Sequence, residues 1–187
     1  MTVFLIILAI ALVVAAIAVP ITYYNRLVKA RNRVDQADSD IDVQLKRRWD
    51  LIPNLIESVK GYMKHEKETL DSVVKARSAA MNASAGTNEA RQAENMLSDA
   101  LKSLFALAEN YPDLKASQNY MQLQEELVDT EDKIQAARRL YNSSLRQYID
   151  QTQLFPSNIF AGMFGFKVTG EYFEVAEAES GPVKVEF

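Results

Sequence analysis

Residues Val3 to Ile21 form an unbroken apolar run with no charged side chain, whereas the rest of the chain mixes apolar and charged positions. At about 1.5 Å of rise per residue, a helix of that length matches the roughly 30 Å hydrocarbon core of a bilayer. A helix satisfies its own backbone groups in that medium, so the run predicts a membrane-spanning helix. Tyr23 and Tyr24 follow at the depth where amphipathic rings favour the interface. A cleaved signal peptide is the competing reading, with Ala16-Ile17-Ala18 as an A-x-A-like site. No Lys or Arg precedes the run, Pro20 lies just past that cut, and the run exceeds a usual h-region, so a retained span is expected.

Past the span the apolar positions take up a seven-residue repeat. Tyr120, Leu127, Ile134, Tyr141 and Tyr148 mark one stripe, with Leu123, Thr130, Ala137 and Ser144 three places on from its first members. Ala90, Leu97, Leu104 and Tyr111 mark another, with Ala93, Ala100 and Leu107 between them. Leu27, Val34 and Ile41 begin a shorter stripe with Ala30 and Ala37, and Ile56, Met63 and Leu70 form a further one beside Ile52, Val59 and Val73. The small residues let helix axes approach closely, and a seven-residue repeat favours left-handed packing near +20°. The pattern predicts an all-α protein: an N-terminal transmembrane helix, then an antiparallel up-and-down four-helix bundle of long helices and an irregular C-terminal tail. Its divisions are residues 1–24, 25–153 and 154–187.

Breaks between the stripes carry their own signals. In Ala83 to Asn88, Gly86 can end one helix and Thr87 or Asn88 can cap the next. Tyr111-Pro112-Asp113 marks a second break, with Asp113 or Ser117 able to start the last helix, which must end before Pro156. Around Trp49 to Pro53 the sequence allows a turn, with Asp50 as N-cap and Pro53 in a first helical turn, or a kink in one long helix. A turn is preferred, because antiparallel helices bury every stripe. In the tail, Phe155, Ile159, Phe160, Met163, Phe164, Phe166, Tyr172 and Phe173 are too apolar for a free linker, and Gly162, Gly165 and Gly170 argue against another regular helix. The tail is expected to pack on the bundle flank or on a neighbouring protomer, with a membrane-surface role as the alternative. After Tyr172 the chain turns acidic, and a loosely ordered segment is expected there.

Charge and composition then narrow the chemistry. The net charge is −4, spread in both signs, and no basic stripe with interleaved aromatics suggests nucleic acid. With no Cys, a lipoprotein anchor and disulfides are excluded. The single histidine, His65, has Thr69 four residues on and Tyr62 three before, so it fits neither a zinc-protease helix nor a di-iron Glu-x-x-His motif. No glycine-rich phosphate loop is present, and no catalytic, cofactor-binding or metal-ligating residue is predicted. Two charged groups stand out: Arg47, Arg48 and Trp49, and a carboxylate cluster on the last helix, Glu125, Glu126, Asp129, Glu131 and Asp132; of these, Arg47, Arg48, Trp49, Glu125, Glu126 and Asp129 are candidate partner or oligomer contacts. The basic residues Lys46-Arg47-Arg48 are read as a solvated helix end, with pairing to the acidic cluster on a neighbouring helix or protomer as the alternative. Phe160, Phe164 and Phe166 are the remaining candidates. Arg26, Lys29, Arg31 and Arg33 follow the span closely, so the positive-inside rule places the C-terminal domain in the cytoplasm, with the outer side as the alternative.

Several segments together resemble the LemA family of bacterial proteins. They are Tyr24-Asn25-Arg26-Leu27-Val28, the run from Asp42 to Leu55, Val59-Lys60-Gly61-Tyr62 with His65-Glu66, and Ala76-Arg77-Ser78. Leu123 to Leu127, Thr130 to Ile134 and Ala137 to Asn142 continue the likeness over nearly the whole chain. The resemblance implies a membrane-associated four-helix bundle without an assigned catalytic activity, and it brings no catalytic residues. The expected role is a non-enzymatic, self-associating scaffold at the bacterial inner membrane that organises other membrane proteins. The alternative, implied at family level, is an adaptor or regulatory subunit of a membrane enzyme such as an envelope quality-control protease. The expected partners are the lipid bilayer, further copies of the chain and other membrane proteins.

Overall fold

The computed structural model describes residues 1–84 and 86–173, and every regular element among them is helical. In chain order these are α1 (Thr2–Lys60), α2 (Lys67–Asn82), α3 (Asn88–Ala108), α4 (Pro112–Lys115), α5 (Gln118–Gln153) and α6 (Ser157–Met163). The apolar run opens α1, and its large side chains from Val3 to Ile21 are each 44–69% exposed, which suits a lipid-facing surface. Leu27, Ala30, Ala37, Ile41, Ile52, Leu55 and Val59 then become buried along the same helix.

The preferred turn at Trp49 to Pro53 does not form. α1 passes through Pro53 and ends at Lys60, and the chain turns instead between Gly61 and Glu66. Pro53 has no N–H, so the Trp49 carbonyl four residues earlier loses its intrahelical donor. Arg77, reaching over from α2, donates its Nε–H to that carbonyl at 2.7 Å. The orphaned acceptor is therefore satisfied from outside the helix, and the helix continues. The stripe from Ile52 to Val73 is consequently divided between α1 and α2. The expected span plus four separate long helices becomes one fused element, three further long helices, and two short ones, α4 and α6.

The chain divides into two compact units: Asp42–Ile134, and Met1–Ile41 with Gln135–Phe187. In the first, one core gathers Ile52, Leu55 and Val59 of α1, Leu70, Val73 and Ala76 of α2, Leu97, Leu101 and Leu104 of α3, and Tyr120 and Leu127 of α5. α2 and α3 pack on each other through a turn that includes Gly86 at φ +77°, and Thr87 caps α3 by accepting from the Ala90 N–H at 3.2 Å. Leu114 of α4 plugs the core after Pro112.

In the second unit, Leu27, Ala30, Ala37 and Ile41 of α1 are buried, as are Tyr141, Leu145 and Tyr148 of α5 and Ala161 of α6. The tail glycines do not exclude a helix, because Gly165 ends one. At φ +73° it donates to Gly162 while Phe166 donates to Ala161 at 2.9 Å, a Schellman stop after two turns. The chain then runs back along α5. Tyr148 donates its hydroxyl to the Lys167 carbonyl at 3.1 Å, and the Asn142 amide pairs with both backbone groups of Phe173 at 2.8 and 2.9 Å. Gly170 allows this approach, since a Cβ there would lie 2.7 Å from the Tyr141 hydroxyl. The acidic stretch expected to be loosely ordered lies, beyond Phe173, outside the described residues.

Candidate functional site

In the unit formed by Asp42–Ile134, Arg48 sits on the apolar face of α1 between Leu45 and Ile52 and is 1% exposed. Glu94 occupies the corresponding face of α3 and is 3% exposed. The guanidinium ion-pairs with Glu94, and its Nη1 also donates to Glu131 of α5 and to Ser98 Oγ, the latter at 2.9 Å. The other Glu94 oxygen accepts from the Trp49 indole N–H at 2.9 Å. One buried cation thus answers two carboxylates, with the indole N–H as a further donor to Glu94 and the Ser98 hydroxyl as a further acceptor for Arg48. A buried ion pair is tolerable when both charges also have further hydrogen-bond partners, whereas losing one partner leaves a costly bare charge. The cluster joins α1, α3 and α5. Arg48 and Trp49 are therefore engaged inside the unit and are not a solvated helix end.

Of the remaining charged candidates, Arg47 lies 4.0 Å from Glu126, both partly exposed, and Asp129 pairs with Lys133 at 2.7 Å within α5. Glu125 is exposed. The structure brings the basic and acidic groups together through Arg47–Glu126 and, more firmly, through Arg48–Glu131. Glu94 was not singled out in the sequence, although a carboxylate on the apolar face shared with Leu97 and Leu101 was the available signal.

Hollows among the described residues of this unit include two with apolar linings. A cleft of about 210 Å³ lies beside the ion cluster, lined by Ser98, Leu101, Phe105, Leu127 and Val128. A shallow groove of about 540 Å³ runs between the end of α1 and α2, with an apolar floor of Ile56, Met63, Leu70 and Val74 and a rim that includes Lys60, Lys64 and Lys67. His65 is exposed in the turn between those helices. Next to it, Tyr111 donates to Glu66 at 2.9 Å, and that hydrogen bond holds the phenol above its ordinary pKa. Among the described residues, no group of His, Asp and Glu is placed to hold a metal ion.

The aromatic candidates belong to the other unit. Phe160 stacks on Tyr23 with ring centroids 4.7 Å apart, and Phe164 and Phe166 meet Tyr24 edge-on at 5.1 and 5.8 Å. The tail thus closes on the two tyrosines that end the apolar stretch of α1. Further along, Phe173 packs edge-on against Tyr141 at 5.1 Å and lies under the Arg138 guanidinium.

The model of the LemA family matches residues 37–187, a region that begins beyond the apolar run. A protein named LemA from Metamycoplasma hominis is 30% identical over 137 residues, covering 73% of this chain but only 63% of its own length. Magnetosome protein MamQ 2 of Paramagnetospirillum magneticum is 24% identical over 204 residues, covering 96% of this chain and 75% of its own. Magnetosome protein MamQ of Magnetospirillum gryphiswaldense is 24% identical over 195 residues, with 91% and 71% covered.

Proposed function

This chain belongs to the LemA family, and on that footing we propose that it is a non-enzymatic, single-pass membrane protein whose helical body self-associates and organises other membrane proteins. The observation that carries this proposal is the unbroken α1, a single helix from Thr2 to Lys60 that opens on the apolar run, a candidate membrane span, and carries Arg48 further along. The chain's best-made polar interactions join helices to one another, and its candidate contact surface is the acidic face of Glu125, Glu126 and Asp129. Tethering raises the local concentration of weak partners, so such a face gains affinity through avidity rather than area. In this account the soluble part is an antiparallel four-helix bundle. The basic residues after Tyr24 support a cytoplasmic side for it at the bacterial inner membrane.

The groove with Lys60, Lys64 and Lys67 on its rim favours one second reading, an adaptor that takes an amphipathic acidic segment of a membrane enzyme. Affinity capture of the full chain in native nanodiscs separates the two. Assemblies made mainly of this chain support the scaffold, a stoichiometric enzyme partner replaces it with the adaptor, and a solitary monomer contradicts both. In the same cells, Ser84→Cys in this cysteine-free chain is expected to react with an impermeant maleimide only after lysis. Reaction in intact cells would reverse the orientation.

A further inference from the structure

The unit that contains the candidate span also carries an apolar surface that is exposed among the described residues. Between Asp150 and Lys167 there is no charged residue. Within that stretch α6 turns Phe160 and Ala161 inward, Ala161 being 2% exposed. Leu154 and Phe155 just before α6, and Ile159 and Met163 on it, are 61, 80, 53 and 67% exposed. In water such a concentration of large apolar side chains is a liability that marks an interaction surface.

Its position identifies what covers it. Phe160, Phe164 and Phe166 are held against Tyr23 and Tyr24 by ring contacts of 4.7–5.8 Å. At about 1.5 Å of rise per residue, these tyrosines lie within about 5 Å of the end of the apolar run at Ile21, which is headgroup depth when the run spans the bilayer. A segment fixed to them lies at the same depth. Lys167 follows the apolar stretch, and Arg26 and Lys29 follow the tyrosines; all three are exposed, where lipid phosphates would meet them. A short element with one apolar face, one face docked on a span and cations at its border has the features of an interfacial membrane contact.

We propose that Leu154 to Phe166 is a second membrane contact, lying in the bilayer surface beside the exit of the span with Phe155, Ile159 and Met163 in the boundary between headgroups and acyl chains. This rests on the span reading, and the experiment keeps the two apart. Single cysteines replace Phe155, Ile159 or Met163 in the full chain, with Leu8→Cys as the span control and Ser117→Cys as the aqueous control. Each carries an environment-sensitive fluorophore, and the protein is reconstituted in vesicles of phosphatidylcholine and phosphatidylglycerol with shallow nitroxide lipids. Blue-shifted emission quenched by those lipids is expected at 155, 159 and 163, and unshifted, unquenched emission at 117. Aqueous emission at the three tail positions with a lipid-buried Leu8→Cys label overturns the second contact and leaves the span intact. Blue-shifted but unquenched tail labels also overturn it, because they mean that protein covers the patch. An aqueous Leu8→Cys label overturns the span itself.

Discussion

At Pro53 a single missing hydrogen decides where a helix continues. The carbonyl of Trp49 is left without its usual donor, and Arg77 supplies one from α2 at 2.7 Å. Leaving a part-buried acceptor unsatisfied costs about 1–3 kcal/mol, so Arg77→Ala is expected to lower stability by an amount in that range. Pro53→Ala restores the N–H and should shrink the cost of Arg77→Ala, giving a coupling of about 1 kcal/mol in a double-mutant cycle measured by denaturation in detergent. Strictly additive losses would contradict the role given to Arg77. The same scale explains what the sequence could yield. Arg48 and Glu94 each interrupt an apolar stripe, so their burial was readable as charges on core faces, but their pairing was not, because it depends on which helices meet. The Arg77 donor was unreadable for the same reason, and without it a turn before Pro53 was the sounder expectation.

At the scale of the element, α5 is the segment whose spacing foretold most. Tyr120, Leu127, Ile134, Tyr141 and Tyr148 are all buried, as a seven-residue stripe requires. What periodicity could not show is that Tyr148 also holds the returning tail through the Lys167 carbonyl. Burial pushes the Tyr148 phenol above its ordinary pKa, with the Arg31 charge opposing and the Asp35 charge assisting. A folded-state pKa above the unfolded one means the folded chain holds the proton longer. The associated stability is fully present below about pH 10 and is lost as pH climbs through the folded value. Denaturation midpoints should therefore fall on moving from neutral pH to beyond pH ~10, and Tyr148→Phe should reduce that fall. Tyr120, raised chiefly by burial, and Tyr111, raised chiefly by its hydrogen bond to Glu66, leave a remainder in the variant. An unchanged alkaline fall in Tyr148→Phe would contradict the burial of a protonated phenol. The tail itself was legible as apolar and packed. Its helix was not, because Gly165 served as a stop signal rather than as a bar to helix formation.

For the whole molecule, the apolar opening, the helical class and the family were all accessible from residue order, since each depends on composition and spacing along one chain. The tail's docking on Tyr23 and Tyr24 was not, because aromatic residues far apart in sequence carry no label for their partners. The proposed role depends on a first helix that remains in lipid. Alkaline carbonate extraction of cell membranes, combined with the intact mass of the extracted chain, tests this most directly. The account predicts a protein that stays in the pellet with Thr2 and the whole Val3 to Ile21 segment present. A mature chain that starts near Val19 and leaves with the supernatant would contradict it.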